Sequence, residues 1–138
     1  FALCFSITLS SFSADSKDSE FEKSLSNIIN DYRINQNLSL LSYDKQLYLL
    51  AYNHCCYMQK KEKLSHDHFK ERFKESGYKL CVENVGFFSN QTPLKQLNGW
   101  KNSERHNQNL LNPEIRYGAI AKSGDYVCFI GSGNTEKS

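Results

Sequence analysis

The order of hydrophobic periodicities along this chain limits its fold more than any other feature of the sequence. Apolar residues recur at helical spacing through the first half, whereas branched and aromatic residues gather around short turn signals in the second half. The order is helices, a strand, a helix and a terminal strand pair. A chain of 138 residues can bury one sizeable core without disulfides or metal ions. The sequence therefore predicts a single layered α+β domain.

Two helices are predicted in the first half of the chain. The first begins at Ser19, which forms a capping box with Glu22, and continues to about Gln36. The second begins after Asp44, a favourable N-cap residue. Their apolar faces carry Phe21, Leu25, Ile28, Ile29 and Tyr32 in the first helix, and Leu47, Ala51, Cys55 and Met58 in the second.

Two further helices are predicted in the second half. The third covers about residues 67–76 and ends at Gly77, which suits a left-handed cap. The fourth begins at Thr92, with Pro93 at its first helical position. Their predicted inward residues are Phe69 and Phe73 in the third helix, and Leu94, Leu97 and Trp100 in the fourth.

Three segments carry strand signals. Residues 80–88 are apolar, branched and aromatic, and residues 117–122 and 125–131 flank the dipeptide Ser123-Gly124. A two-residue connection containing glycine is typical of a β-hairpin. The sequence therefore predicts one strand between the third and fourth helices and a hairpin at the end of the domain.

Charge and motifs exclude several classes of function. The chain has 17 basic and 15 acidic residues, and no basic stripe is interleaved with aromatic residues. We therefore expect no nucleic-acid partner. The G-x-S-x-G elbow, the phosphate-binding glycine loop and the H-E-x-x-H helix are also missing from the sequence.

The first 18 residues predict an export signal and a short tether. Residues 1–9 have the apolarity of a signal-peptide core, and Ser11 and Ser13 are small residues at the −3 and −1 positions of a cleavage site. The apolar run is too short to cross a bilayer, which needs about 20 residues. We expect an exported protein whose folded domain is residues 19–138.

Cys4 is a candidate lipidation site within that segment. The alternative is that Cys4 is an apolar signal residue that is removed, since Leu3 is bulky where lipoprotein processing requires a small residue. If Cys4 is lipidated, the protein is expected at the cell surface or outer membrane. Otherwise it is expected to be secreted or periplasmic.

Four cysteines lie in the predicted folded part: Cys55, Cys56, Cys81 and Cys128. An even number in an exported chain suggests two disulfides with three possible pairings. Bridging the neighbours Cys55 and Cys56 would strain the disulfide geometry. The alternative is that some of the four are small buried hydrophobic residues. No C-x-x-C spacing indicates a zinc ribbon or a thioredoxin-like site.

Three polar clusters interrupt the apolar pattern. One opens the third helix, one lies inside the first strand, and one follows Trp100. Glu83, in the strand, is the most demanding because a carboxylate among apolar residues costs several kcal/mol unless it is paired. Histidines are suitable partners as hydrogen-bond donors or as co-ligands of a metal. The clusters are Ser65-His66-Asp67-His68, Glu83-Asn84, and the run with Ser103, His106, Asn109 and Pro113.

In this order and spacing, the clusters resemble the CAP superfamily (cysteine-rich secretory, antigen 5, pathogenesis-related; SCP domain) in its compact bacterial form. The resemblance covers about residues 21–133. With Cys4 it indicates a bacterial surface lipoprotein. The matching positions are Leu41-Ser-Tyr-Asp44 with Leu47 and Ala51, then Ser65-His66-Asp67 with Phe69, Arg72, Gly77 and Tyr78, then Glu83-Asn84-Val85, and finally Trp100, Ser103, His106, Asn109, Leu110 and Gly118.

The resemblance implies a three-layer α–β–α sandwich with a small antiparallel sheet and a central cleft. In that family two histidines and acidic side chains line the cleft, and some members bind zinc or another divalent ion there. The matching ligand candidates are His66, Glu83 and His106, a set that leaves one coordination position open. The other predicted cleft residues are Asn84, Ser103 and Glu104.

The sequence departs from the family pattern in two places. Many members have a second glutamate three residues after the tryptophan, where this chain has Ser103. Glu104 is next to it, but one residue turns a side chain by about 100° around a helix. Arg105 replaces the usual glycine before the second histidine. Both departures weaken a catalytic role and lower the expected metal affinity.

Two other histidines have structural interpretations. His68 is expected on a helix surface. His54 is expected to be a core histidine with its hydrogen bonds satisfied. Catalysis by His54 with Cys55 or Cys56 is not favoured, because no third orienting group is visible and burial raises the pKa of a thiol.

Three functions remain open. The favoured one is a non-catalytic binding module for an extracellular protein, lipid or envelope component, because the acidic set is incomplete and no nucleophile is recognisable. The second is a divalent-metal-dependent hydrolase that uses His66, His106 and Glu83. The third is a structural envelope domain. We expect a monomer whose only membrane attachment is a lipid anchor at Cys4.

Overall fold

Five helices and four strands follow one another within residues 7–133, the part of the chain that the computed structural model describes. Side chains are described from residue 17 onward. The elements are α1 (Ile7–Asn35), β1 (Ser42–Tyr43), α2 (Lys45–Lys61), α3 (Phe69–Ser76), β2 (Leu80–Phe87), α4 (Pro93–Lys101), α5 (Glu104–Leu110), β3 (Ile115–Ser123) and β4 (Tyr126–Gly133).

The strands form one sheet in the order β1-β3-β4-β2. The three long strands, β2, β3 and β4, pair with one another in antiparallel fashion, as the family resemblance implies. The two-residue β1 pairs in parallel with β3, with Ser42 opposite Tyr117 and Tyr43 opposite Gly118, so the sheet is mixed. A strand of two residues carries no readable alternation, which is why the sequence analysis missed it. β1 and β2 are the edge strands.

The terminal hairpin turns one residue later than predicted. Ser123 pairs with Tyr126, so the two-residue connection is Gly124-Asp125 rather than Ser123-Gly124. Gly124 has a φ of +58°, and its missing side chain leaves room for the side chain of Gln59. A residue other than glycine would be strained there.

Helices cover both faces of the sheet, which confirms the predicted α–β–α sandwich. Helix α2 covers one face, and α1, α4 and α5 pack against the other. The first face buries Leu47, Leu50, Ala51, Cys55, Met58, Tyr78, Val85, Ala119, Ala121, Tyr126, Cys128 and Ile130. The second buries Phe21, Leu25, Ile29, Leu41, Leu97, Trp100, Leu110, Ile115, Ile120, Val127 and Phe129.

Local capping chemistry fixes the helix ends that the sequence identified. The Asp44 carboxylate accepts the Leu47 N–H at 3.0 Å at the start of α2. The Thr92 hydroxyl accepts the Lys95 N–H at 3.2 Å at the start of α4. Gly77 ends α3 with a φ of +75°. These predictions depend only on neighbouring residues, and all are confirmed.

Two helix predictions are wrong. Helix α1 begins at Ile7, so Ser19 lies inside it, and residues 14–18, predicted as a tether, are helical. No glycine or proline between residues 7 and 19 stops the helix, and a capping box requires an extended Ser19. Leu94, predicted on the apolar side of α4, is 59% exposed. Within residues 7–133, no helix combines the length and apolarity needed to cross a bilayer.

The two predicted disulfides are absent among the described residues, where Cys55, Cys56, Cys81 and Cys128 are all free thiols. Cys55 and Cys128 are fully buried between α2 and the sheet, and the Cys55 thiol donates to Ala121 O at 3.4 Å. Burial raises the pKa of Cys81 to about 11 and that of Cys128 well above its ordinary value. The alternative interpretation, small buried hydrophobic residues, describes Cys55 and Cys128. The predicted lipidation site Cys4 lies outside the described residues.

The end of α1 is held by a buried arginine. Arg33 is 0% exposed, and its guanidinium donates only to backbone carbonyls, at distances from 2.8 to 3.3 Å. One acceptor, Ser39 O, follows α1, and the other three lie around the end of α5 and the start of β3. This single side chain therefore joins three segments that are distant in sequence. The acceptors are the carbonyls of Ser39, Leu110, Asn112 and Ile115.

We predict that Arg33→Met destabilises the fold by about 3 kcal/mol or more, because four backbone carbonyls, including the buried Leu110 O, lose a hydrogen bond from the guanidinium. Urea denaturation measures the change in the free energy of unfolding. Arg105→Met, at an exposed position on α5, is the matched control and should change stability by less than about 0.5 kcal/mol. Equal small effects of the two substitutions would contradict the assigned role of Arg33.

Candidate functional site

Glu83 lies in the middle of β2 with its side chain 1% exposed. Strand pairing places it opposite Ile130 of β4. The Arg72 guanidinium donates hydrogen bonds to both carboxylate oxygens. Its Nε donates to Oε2 at 2.7 Å, and its Nη2 donates to Oε1 at 2.8 Å. This two-pronged pairing is the strongest form of a protein ion pair.

His66 completes the shell around this carboxylate. Its Nδ1 lies 2.8 Å from Glu83 Oε1, while 54% of the His66 side chain remains exposed. The structure therefore brings together Glu83 and His66, two of the three residues that the sequence analysis singled out. Because a carboxylate only accepts, Nδ1 carries the hydrogen and Nε2 is left toward solvent.

Burial and pairing act on Glu83 in opposite directions. Burial alone would raise the pKa of this carboxyl group, but the hydrogen bonds from His66 and Arg72 outweigh it and hold the pKa below its ordinary value. Glu83 is consequently an anion at neutral pH. Its charge is compensated inside the protein rather than by solvent.

His54 supports the same network from α2. Its Nε2 donates to the carbonyl of Ser65 at 2.7 Å and lies 3.7 Å from Glu83 Oε1. Burial lowers the pKa of His54, so the ring is neutral. The position fits the core histidine with satisfied hydrogen bonds that the sequence indicates. By bonding Ser65 O, His54 holds the segment that presents His66.

His106 lies in the first turns of α5 and is half-buried. Burial lowers its pKa, and the charge of His66 lowers it further, so the two rings are within electrostatic range of each other. Within the described chain, no hydrogen bond joins His106 to Glu83. The structure thus places His106 near His66 without joining it to the carboxylate.

Asn84 and Asn109 fasten α5 to β2. Asn84 is fully buried, donates through Nδ2 to the carbonyl of His106 at 3.0 Å, and accepts from Asn109 Nδ2 at 2.9 Å. Asn109 also reaches Glu83 O at 3.3 Å. Asn84, predicted in the cleft, is therefore a positioning residue inside the fold.

Ser103 and Glu104 do not join the carboxylate cluster. Ser103 is the N-cap residue of α5, with extended backbone and no capping bond from its side chain. Glu104 is exposed and accepts from Gln108 Nε2 at 3.4 Å, one turn along the same helix. Glu104 is one residue beyond the position at which many family members have a glutamate, and its side chain faces solvent.

A shallow cleft of about 250 Å³ opens at this edge of the sheet. Its walls combine the His66 imidazole and the Phe69 ring with the side of β2. Phe69 and Phe73, predicted inward, are only half-buried, because Arg72 and Ser76 occupy the buried face of α3. The lining residues are His66, Phe69, Cys81, Val82, Glu83 and Asn109.

The functional role of Arg72 was missed by sequence reasoning, although its position in the motif was noted. The available signal was the requirement that a buried carboxylate have a cation, combined with a single arginine between Phe69 and Phe73 on the short α3. The apolar spacing predicts that Phe69 and Phe73 form the buried face of α3. In the structure, Arg72 is on the buried face instead.

The described residues do not fit the divalent ion that the family resemblance suggests. A His-His-Glu site needs a carboxylate oxygen free to bind the metal, and both oxygens of Glu83 accept from Arg72 or His66. No three histidine, cysteine or acidic side chains within the described chain are arranged to hold an ion. His66 and His106 alone do not complete a metal site.

We predict that Arg72→Met lowers the free energy of unfolding by about 3–5 kcal/mol at pH 7, because it leaves the Glu83 charge buried without its main partner. Chemical denaturation measures the loss. Lys70→Met, two residues earlier on the exposed side of α3, is the matched control and should be nearly neutral. A loss below about 1 kcal/mol for Arg72→Met would contradict the ion pair.

We also predict a specific acid dependence of stability. Because the folded pKa of Glu83 is depressed, its contribution is complete above the pKa of an unfolded glutamate, about 4.3, and is lost as pH falls through the folded value. Glu83→Gln should therefore remove up to about one proton from the uptake that accompanies unfolding below pH 4. Stability profiles of equal slope in the two proteins would disprove it.

Three solved structures of bacterial proteins share this fold. An extracellular protein containing an SCP domain from Bacillus anthracis str. Ames aligns with a TM-score of 0.79 and 24% identity over 85% of this chain and 41% of that one. A cysteine-rich secretory protein from Staphylococcus aureus subsp. aureus Mu50 gives 0.77 and 21% over 85% and 39%. An outer surface protein from Borrelia burgdorferi gives 0.72 and 20% over 82% and 92%.

At these identities the structural matches establish the fold. The chain spans about two fifths of the length of the first two proteins and most of the third. No curated protein sequence matches the chain. A model of the family described as "CAP: Cysteine-rich secretory protein family" matches residues 27–128, which include His66, Arg72, Glu83 and His106. The chain therefore belongs to the CAP family of cysteine-rich secretory proteins.

Proposed function

We propose that this protein is an exported, surface-exposed CAP domain that acts as a non-catalytic binding module for an extracellular ligand. The observation that carries the proposal is the pairing of Arg72 with both oxygens of Glu83. Because of this pairing, Glu83, the acidic residue that lines the cleft, stabilises the fold. The export signal expected in residues 1–18 and the extracellular or outer-surface character of two structural neighbours support the location.

The same pairing argues against a hydrolase. A general base needs a free lone pair directed at a water molecule and a pKa near the working pH. The pKa of Glu83 is held below its ordinary value, and its carboxylate is enclosed by donors. No other acidic side chain lines this cleft among the described residues. The geometry therefore supports recognition rather than activation of water.

The exposed imidazole of His66 is suited to recognition. Glu83 fixes the ring through Nδ1, so Nε2 is left to form a hydrogen bond with a ligand on the cleft side. The half-buried ring of Phe69 and the side chain of Val82 provide apolar contact next to it. The cleft therefore favours a ligand that carries a hydrogen-bonding group beside an apolar surface.

The exposure of His66 also distinguishes this role from a purely structural one. Arg72 already compensates the charge of Glu83 inside the protein. A purely structural network would not require His66, whose side chain is 54% exposed, as a second partner. Because the fold alone does not determine function, the choice between a binding role and a structural role rests on the exposed side chain of His66.

We expect binding that is independent of metal and sensitive to the cleft. Biolayer interferometry in EDTA should detect binding to fibronectin or to laminin. His66→Ala and Phe69→Ala should each weaken that binding by about fivefold or more, the loss expected for a buried contact. Lys70→Ala, exposed on the same helix, is the control and should leave the affinity unchanged.

Two outcomes would overturn the proposal. One is zinc-dependent cleavage of a mixed peptide library that disappears in His106→Ala, which would establish the hydrolase. The other is binding to neither of these probes, together with a lowered melting temperature as the sole effect of His66→Ala, which would establish a structural role.

A further inference from the structure

A second cavity lies at the opposite edge of the sheet, between α1, β1 and the start of α2. Its volume is about 410 Å³, within the range of small-molecule sites, and it shares no lining residue with the cleft. Its floor is apolar and its walls are polar. The floor is formed by Ile29, Leu41, Ala119, Ile120 and Phe129, each less than a tenth exposed.

Glu22 provides the charge of this cavity. Its carboxylate accepts from the Tyr48 hydroxyl at 3.3 Å and from the Lys122 backbone N–H at 2.9 Å, both uncharged donors. Among the described residues, no cationic side chain forms an ion pair with Glu22, since the Lys122 ammonium pairs with Asp18 at 3.1 Å. Burial raises the pKa of Glu22. The cavity therefore holds a half-buried acid whose direct hydrogen-bond donors are uncharged, while the Lys122 charge acts on it without forming an ion pair.

Two tyrosines stand beside this acid. The rings of Tyr43 and Tyr48 both line the cavity, with centroids 6.2 Å apart and planes inclined by 46°. Tyr43 is 67% exposed, so its ring is accessible to a ligand in the cavity. The faces of aromatic rings attract cations, and an adjacent carboxylate adds to the attraction.

We propose that this cavity binds a small amphiphile with an ammonium group, the cation lying among Glu22, Tyr43 and Tyr48 and the apolar part on the cavity floor. The ammonium group belongs either to a free metabolite or to a lipid headgroup. Lys23 also lines the cavity, from an exposed position about 100° around α1 from Glu22, and forms no ion pair with it.

Isothermal calorimetry with three defined probes tests the chemistry. Choline measures the headgroup alone, hexyltrimethylammonium adds an apolar chain, and dimethylbutanol is the uncharged isostere of choline. We expect hexyltrimethylammonium to bind at least about tenfold more tightly than choline, because several methylenes reach the floor. Dimethylbutanol should bind at least about fivefold more weakly than choline.

Substitutions locate the site. Glu22→Gln removes the charge and keeps an oxygen for the Lys122 N–H, while the Tyr48 hydroxyl can accept from the new amide group. It should weaken the binding of hexyltrimethylammonium about tenfold. Tyr43→Ala, at an exposed position, should weaken it about two- to fivefold without altering the fold. Tyr52→Ala is the matched control, because Tyr52 stacks on Tyr48 but lies outside the cavity lining. Its affinity should equal that of the wild type.

Sedimentation with phosphatidylcholine vesicles distinguishes the two sources of the ammonium group. Binding to these vesicles that Glu22→Gln abolishes identifies a lipid headgroup, and binding of the soluble probes alone identifies a free ligand.

Equal affinity for choline and dimethylbutanol, or unchanged binding in both Glu22→Gln and Tyr43→Ala, would overturn the proposal. So would no heat with any probe. Neither substitution touches the His66 cleft, so this result and the test of the proposed function are independent.

Discussion

The pairing of a buried carboxylate with a buried guanidinium holds one side of this structure together. Glu83 cannot remain charged inside β2 without Arg72, and Arg72 reaches it only when α3 docks against that strand. Arg72 also donates to Asp67 O at 2.6 Å, and His54 binds Ser65 O, so the segment between α2 and α3 is fixed as well. The short helix, the loop before it and the exposed imidazole of His66 all depend on this one ion pair.

A buried cation, Arg33, likewise holds separate elements together on the other side of the sheet. Arg33 gathers the backbone carbonyls at the end of α1, the end of α5 and the start of β3, which no hydrophobic contact would satisfy. The two candidate binding sites lie beyond these anchors, at the edge strands β2 and β1 of the sheet. Rigid, fully bonded elements therefore frame both the cleft and the cavity, an arrangement suited to recognition because little order is lost on binding.

This framework is also the reason for proposing that the polar cluster recognises a ligand rather than catalyses a reaction. An acid in the cleft is useful for chemistry when its oxygens are free, and the same donors that make Glu83 tolerable inside the protein occupy them. Glu104, the other acid near the cleft in sequence, faces solvent on α5. At the β1 edge the carboxylate of Glu22 accepts hydrogen bonds only from uncharged donors and lines a cavity, which is the basis for the ammonium site proposed there.

The sequence by itself determined the features that depend on near neighbours. Asp44, Thr92 and Gly77 mark helix ends through bonds and dihedral angles within a few residues, and the spacing of apolar residues assigned the layers. Its family motifs also indicated that Glu83 and His66 would meet. Only the tertiary structure decided that Arg72 takes both carboxylate oxygens, that the four cysteines in the described chain stay free, and that Glu22 and Tyr43 share a cavity. Those outcomes depend on how separate elements pack, which local periodicity and spacing do not encode.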